Sequence, residues 1–205
     1  MKLNGFDSIA SIYDPLARLF FGNSITESQA TFLSEIPVGK VLILGGGSGW
    51  IATEVLSAQP LCSVWYIDAS KKMIDMARGK GLDPERIHFI HGTEDDIPPG
   101  VKFDAVVTAF YMDLFPQASL ELVIAKISSS LSHPVKWFVT DFVHLGKLWQ
   151  RGLLWIMYTF FRLVAGIEAT RLADWNAAMG KAGFTKKRSA RFYARFIETA
   201  RFDRP

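Results

Sequence analysis

Short apolar runs alternate with longer amphipathic stretches along this chain, the pattern of parallel strands joined by crossover helices. The first continuous apolar run, Lys40–Leu44, leads directly into glycines at 45, 46, 47 and 49. Ser63–Ile67 follows, dense in β-forming residues, and stops on Asp68. Ile87–His91, Phe103–Ala109 and Trp137–Phe142 predict strands three to five. Between them Gly49–Ala58, Ser70–Gly79 and Ala118–Leu131 have helical spacing, with Ser70 placed as an N-cap. Ahead of the sheet, Ile9–Phe21 and Ile25–Glu35 predict two helices packed over its front edge. After the fifth strand the pattern changes. Lys147–Ala165 predicts a long helix apolar on nearly all sides, and Arg171–Ala182 an amphipathic one ended by Gly183. Lys186–Phe202 alternates well enough for two closing strands. The expectation is one α/β domain over residues 1–205, built on a doubly wound, mostly parallel sheet of about seven strands. An N-terminal helical cover at about 5–36 and a helical insertion at about 145–182 complete it.

The segment Val41-Leu-Ile-Leu-Gly-Gly-Gly-Ser-Gly49 carries the sharpest chemistry. Glycines at the end of a buried strand let the backbone turn tightly and approach a ligand with no Cβ in between. The helix that starts near Gly49 aims its free N–H groups at whatever sits in the turn. Nineteen residues later Asp68 stands at the carboxyl end of the next strand, where a carboxylate can accept both hydroxyls of a ribose. Two cofactor classes share this geometry. A dinucleotide site uses Gly-x-Gly-x-x-Gly, but here the third position is Trp50. The spacing present is Gly45-x-Gly47-x-Gly49.

That motif resembles the first motif of class I S-adenosylmethionine-dependent methyltransferases, a Rossmann-like family, and the likeness extends over roughly residues 5–185. The resemblance implies S-adenosylmethionine as cofactor, held by Gly45, Gly46, Gly47 and Gly49. It places the ribose on Asp68, with Ala69, Ser70 and Met73 beside the adenosine. Gly92-Thr-Glu-Asp-Asp-Ile-Pro98 stands where the family lines the adenine, which implicates Gly92, Thr93, Glu94 and Asp95. The end of the fourth strand, Thr108, Ala109 and Phe110, is expected to face the transferred methyl. Tyr13-Asp14 resembles a Tyr-Asp pair on the helix that covers the methionine end. Two positions depart from the family pattern. Ile43 replaces an acidic residue near the methionine portion, and Thr93 replaces the Asp that accepts from the adenine amino group.

Methyl transfer from a sulfonium mainly needs proximity, alignment and exclusion of water. A base is required only if the acceptor loses a proton as it attacks. Candidates from the ends of strands four and five are Tyr111, Asp113 and His144, with Asp141 in the same region. Each has a plain structural alternative, such as helix capping. His88 and His91, three apart on a strand, point to opposite faces and make no metal site. Thr108-Ala-Phe-Tyr111 lacks the prolines that shape the amine pocket of base-modifying enzymes, and Cys62 lies in no Pro-Cys loop, so DNA modification is disfavoured. The apolar helix at 147–165 suggests a roof over an apolar pocket, or else simple packing or dimerisation. Its placement after strand five is most like the ubiquinone/menaquinone C-methyltransferase branch and its small-molecule relatives. The expected acceptor is a small molecule, apolar or aromatic. The alternatives are a weakly catalytic S-adenosylmethionine-binding protein, a nucleotide-dependent oxidoreductase, and an RNA methyltransferase.

Composition refines this picture only in places. The net charge is +3, but from Lys181 onward eight Lys or Arg face only Glu198 and Asp203, so the basicity is confined to the C-terminal tail. The tail reads as the solvated face of edge strands, with a peripheral membrane contact or RNA as the other readings. Cys62 is the only cysteine, which excludes an internal disulfide and fits a reducing, cytoplasmic setting. Met1 to Leu16 has no continuous apolar core and does not read as a secretory signal. Gly152–Phe161 is too short to span a bilayer, which takes about 20 residues. A monomer or homodimer is expected.

Overall fold

The computed structural model describes residues 4–143 and 146–205. One seven-stranded sheet runs through it, in the order β3-β2-β1-β4-β5-β7-β6. The strands are β1 (Gly39–Leu44), β2 (Cys62–Asp68), β3 (Ile87–His91), β4 (Phe103–Ala109), β5 (Leu131–Phe142), β6 (Thr185–Phe192) and β7 (Ile197–Arg204). The first five are parallel, while β7 runs antiparallel to both β5 and β6. The helices are α1 (Ala10–Phe21), α2 (Ser24–Ala30), α3 (Trp50–Ala58), α4 (Lys71–Arg78), α5 (Gln117–Ser129), α6 (Leu148–Val164) and α7 (Trp175–Lys181).

Alternation along β1 builds two cores from one strand. Leu42 and Leu44 turn to the face covered by α5 and α7, where Leu120, Ile124, Trp175 and Met179 close over them. Val41 and Ile43 turn to the opposite face, against Ile51 and Val55 of α3 and Ile74 of α4. A third apolar cluster lies past the strand ends. It joins Phe21 of α1, Phe142 of β5, Leu154 and Tyr158 of α6, and Phe196 of the β6–β7 turn.

The predicted elements are all present, with boundaries shifted where local chemistry intervenes. The helix expected over Ile25–Glu35 breaks after Ala30 because Phe32 takes a left-handed φ of 70°. A short 3-10 turn, Leu33–Glu35, replaces the rest. The helix expected to run to Leu131 stops at Ser129, and Leu131 instead opens β5, paired with Phe103 of β4. The helix expected from Arg171 starts only at Trp175, because Asp174 caps it by accepting the Ala177 N–H at 2.9 Å. The closing strands reach Arg204, two residues beyond the predicted end.

The basic tail is the largest revision to the surface reading. Lys186 and Arg191 both pair with the buried carboxylate of Glu198. Arg188 and Arg201 both pair with Glu35, which follows the N-terminal helices. Much of the tail's charge is therefore engaged within the fold. No helix of the described residues is long and apolar enough to cross a membrane.

Candidate functional site

The order β3-β2-β1-β4 reverses direction between β1 and β4, and the crevice at their carboxyl ends is where such sheets take ligands. A cavity of about 790 Å³ opens there. Its floor comes from the residues that end the strands: Gly45–Ser48 after β1, Asp68 and Ala69 after β2, and Ala109–Tyr111 after β4. Helices α1 and α6 stand over it.

The glycine turn is shaped by what a side chain would strike. Gly47 takes a φ of +64° with nothing within 4 Å of where its Cβ would project, so the turn presents bare backbone to open space. Gly49 has the opposite reason. A Cβ there would lie 2.7 Å from the Ala77 backbone, so glycine permits α3 and α4 to pack closely. Gly49 accordingly lies off the cavity wall, while Gly45, Gly46 and Gly47 line it.

Asp68 is buried at the cavity edge and accepts the Gly47 N–H at 2.9 Å and the Ser70 N–H at 2.8 Å. Burial pushes its carboxyl up to about 6, and those two amide bonds pull in the other direction. Ser70 itself is fully buried. Its hydroxyl caps α4 by accepting the Met73 N–H and donates to Asp7 at 2.5 Å, so it holds the acid's neighbourhood and not the cavity. Ala69 and Met73 do line the cavity.

Gly92 and Thr93 reach the wall, but Thr93 also caps the following turn. Its N–H donates to Asp96 at 2.9 Å and its hydroxyl accepts the Asp95 N–H at 3.2 Å. Glu94 and Asp95 stand off the wall. Glu94 accepts the Tyr111 hydroxyl at 2.6 Å, and Asp95 pairs with Lys126 of α5. Thr108 is also off the wall, its hydroxyl accepting the Trp137 indole N–H at 3.0 Å. Ala109 and Phe110 are on it.

The predicted catalytic residues separate on inspection. Tyr111 lines the cavity with its ring, but its hydroxyl is committed to Glu94. Burial, and then the Glu94 charge, push that phenol well above its ordinary value, so it stays a donor. Asp113 is buried on the cavity wall, and its Oδ1 has no hydrogen-bond partner among the described residues. Burial pushes its carboxyl up to about 7. Asp141, fully buried at the end of β5, is raised as well, by burial and by the Asp113 charge. Its Oδ2 accepts the N–H groups of Met112 at 2.9 Å and Asp113 at 3.3 Å, and its Oδ1 accepts that of Phe142 at 2.7 Å. Three amide donors favour the ionised form of Asp141, while burial opposes the ionised form of both carboxyls. His144 lies outside the described residues.

At the α1 side Tyr13 is half-buried and lines the cavity. Burial, with the charges of Asp113 and Asp14 next, keeps its phenol protonated. Asp14 accepts the Ser48 hydroxyl at 2.5 Å and so brings a carboxylate from α1 onto the glycine turn. Ile43, where the sequence lacks an expected acid, is buried in the α3/α4 core and does not reach the cavity. Asp14 does line the cavity. Sequence reading put the Tyr13-Asp14 pair on the covering helix but named only Tyr13 as a contact residue.

The far half of the cavity is aromatic and aliphatic. Phe110 and Phe142 pack with tilted rings, centroids 5.0 Å apart, on the strand side. Leu153, Met157, Phe160 and Phe161 of α6 face them, and Phe20 and Phe21 of α1 close a third side. This aromatic enclosure was not assembled from the sequence, because its members come from four separate elements.

Residues 41–133 match the family described as Methyltransferase domain. No curated protein matches the sequence. Among solved structures, a chain of the complex formed with the Haloferax volcanii Trm112 methyltransferase activator superposes with a TM-score of 0.76. It is 16% identical and the match covers 100% of this chain and 98% of that one. The Burkholderia thailandensis 1,6-didemethyltoxoflavin-N1-methyltransferase, solved with 1,6-didemethyltoxoflavin and S-adenosylhomocysteine, gives 0.70 at 14% identity, over 98% of this chain and 86% of that one. The mitomycin 7-O-methyltransferase MmcR gives 0.69 at 18% identity over 98% of this chain, which spans only 60% of that enzyme's length. Residues 41–133 thus match a methyltransferase domain model, and the described chain shares its fold with these methyltransferases.

Proposed function

We propose that this protein is an S-adenosylmethionine-dependent methyltransferase whose acceptor is a small apolar or aromatic molecule. The observation that carries this reading is the division of one cavity into two chemically different halves. Bare glycine backbone, Asp68 and Asp14 line one end, and the aromatic and aliphatic side chains of α1, α6 and the β4 and β5 ends line the other. The polar half fits the donor: Asp68 for ribose hydroxyls, Gly45–Gly47 for close backbone approach, and Asp14 with Ser48 near a cationic amino-acid end. The bound donor supplies an activated methyl on a sulfonium.

The protein's own part is to orient, dry and deprotonate. Phe110, Phe142, Met157 and Phe161 exclude water from the acceptor end and hold a flat or apolar molecule against the end of β4. Asp113 stands on the cavity wall and, ionised above about pH 7, takes the proton that the acceptor gives up. Asp141 holds the Asp113 backbone. Tyr111 and Tyr13, held neutral, act as hydrogen-bond donors and do not remove protons. An acceptor ring of the kind handled by quinone C-methyltransferases suits this enclosure. The ion pairs that engage the basic tail argue against an RNA acceptor.

The test is transfer of labelled methyl to a panel of hydroquinones, phenols and bulk RNA, with wild type and Met157→Arg. Label on the ring compounds, lost in M157R while S-adenosylmethionine affinity holds, supports the reading. Label on RNA, or equal turnover by M157R, refutes it.

A further inference from the structure

The faces of α1 and α6 that point away from the cavity are apolar where solvent would ordinarily demand polarity. Leu19 is 79% exposed, Leu148 81%, Trp155 70% and Leu163 82%. Exposed apolar residues of this size gathered on a pair of helices mark an interaction surface.

These residues lie on the two helices that cover the cavity. At one end the Tyr193 hydroxyl donates to the Phe20 carbonyl at 2.9 Å, and the Tyr193 ring packs on Trp149 at 6.1 Å. The β6–β7 turn thereby ties the end of α1 to the start of α6. At the other end Ser8 reaches the Val164 carbonyl, and Phe6 packs on Phe161 at 5.8 Å. The two helices thus run antiparallel along the cavity, and Phe20 and Ile156, both on its wall, are also about half exposed.

Charge along α6 itself has one sign. Leu148, Arg151, Trp155, Thr159 and Arg162 follow one another at helical spacing along the exposed stripe of α6, with Leu163 beside it. Lys147 precedes that stripe, and exposed Arg195 sits two residues beyond Tyr193 in the tying turn. No Asp or Glu occurs from Lys147 to Val164, and the one acid of α1, Asp14, is bonded to Ser48 at the cavity wall. A helix with Trp and Leu between arginines, and too short to span, suits the plane of an interface.

We propose that the α1/α6 rim docks on an anionic lipid surface, with Leu19, Leu148, Trp155 and Leu163 entering the acyl boundary and Arg151, Arg162 and Arg195 meeting headgroup phosphates. Docking would set the mouth of the cavity against the bilayer, where an apolar acceptor is concentrated. The cations that serve here belong mainly to α6 and the turn, not to the strands of the basic tail.

The experiment is co-sedimentation of the full chain with phosphatidylcholine vesicles containing or lacking phosphatidylglycerol, with no methyl donor present, so the result is independent of the acceptor assignment. Wild type should partition onto the anionic vesicles, and less as salt rises. Leu19→Glu combined with Leu163→Glu should lower that partition at least tenfold. Arg151→Gln with Arg162→Gln should lower it about fivefold for each charge removed, without affecting the melting temperature. The arginine pair keeps the test decisive if the glutamate pair fails to fold. No binding by wild type, equal binding to neutral vesicles, or full binding by the arginine variant would overturn the proposal. So would light scattering showing a dimer that L19E/L163E dissociates, because a second copy would then cover the rim.

Discussion

The backbone N–H of Gly47 donates to Oδ2 of Asp68 at 2.9 Å, locking the turn after the first strand to the acid that ends the second. The bond pre-sets both partners in one cradle, so the site needs little rearrangement on binding. It also makes Asp68 do two jobs.

Replacing that carboxylate should therefore cost more than a ribose contact. Asp68→Ala is expected to weaken S-adenosylmethionine binding about 10- to 100-fold, the scale of about 1.5–3 kcal/mol for hydrogen bonds to a charged group. Titration calorimetry reads this directly. Unchanged affinity would mean the cradle lies elsewhere.

The two glycines of the turn should fail in different ways. Gly47→Ala puts a Cβ into open space at a φ of +64°, so it should lower cofactor affinity with a stability cost of only about 1 kcal/mol. Gly49→Ala drives a Cβ to 2.7 Å from the Ala77 backbone and should lower stability by about 1–3 kcal/mol. Melting curves beside binding isotherms separate the two. Identical behaviour would show that the close packing of α3 on α4 does not explain Gly49.

Asp113 should leave a signature in both stability and rate. Its carboxyl is raised from an ordinary 3.8 to about 7, so the folded state binds the proton more tightly than the unfolded state. Stability from this group is full below about pH 4 and is lost as pH rises through about 7. Asp113→Asn removes that loss and should be the more stable protein at pH 8 by on the order of 1–4 kcal/mol, with the advantage shrinking as pH falls and gone below about pH 4. If Asp113 is the base, kcat/KM of wild type should rise with pH through the same window, and the variant's profile should be flat and low. A wild-type profile with no inflection near neutrality would remove the base assignment.

Glu198 is buried between Lys186 and Arg191, and its loss would leave two partly covered cations without a counter-charge. Glu198→Gln should cost about 1–3 kcal/mol, read as a lower melting temperature. A cost near zero would mean the tail's cations are solvated and available to a partner after all.

Much of this molecule was legible in the chain itself. Short apolar runs ending on glycine or Asp, and helical stretches after them, are local patterns, and local sterics write them into sequence. Hence the five parallel strands, the glycine turn and Asp68 could be placed by number. Cap chemistry then moved the edges, as at Asp174, or broke a helix, as at Phe32.

What the sequence could not decide is what meets across distance. Asp113 and Asp141 are 28 residues apart and ordinary in isolation. Only the pairing of β4 with β5 brings them together in the dark of the core, where two carboxyls cannot both ionise cheaply. Glu35 meets Arg188 and Arg201 through β6 and β7 packing beside the N-terminal helices, which turned a free basic tail into internal ion pairs. The helix at 148–164 could be read as apolar all round, but which side faced the cavity depended on α1 and the β6–β7 turn. Sequence determined the elements because their forces act over a few residues. Tertiary structure decided the acid pair, the aromatic enclosure and the exposed rim, because burial is a property of the packed whole.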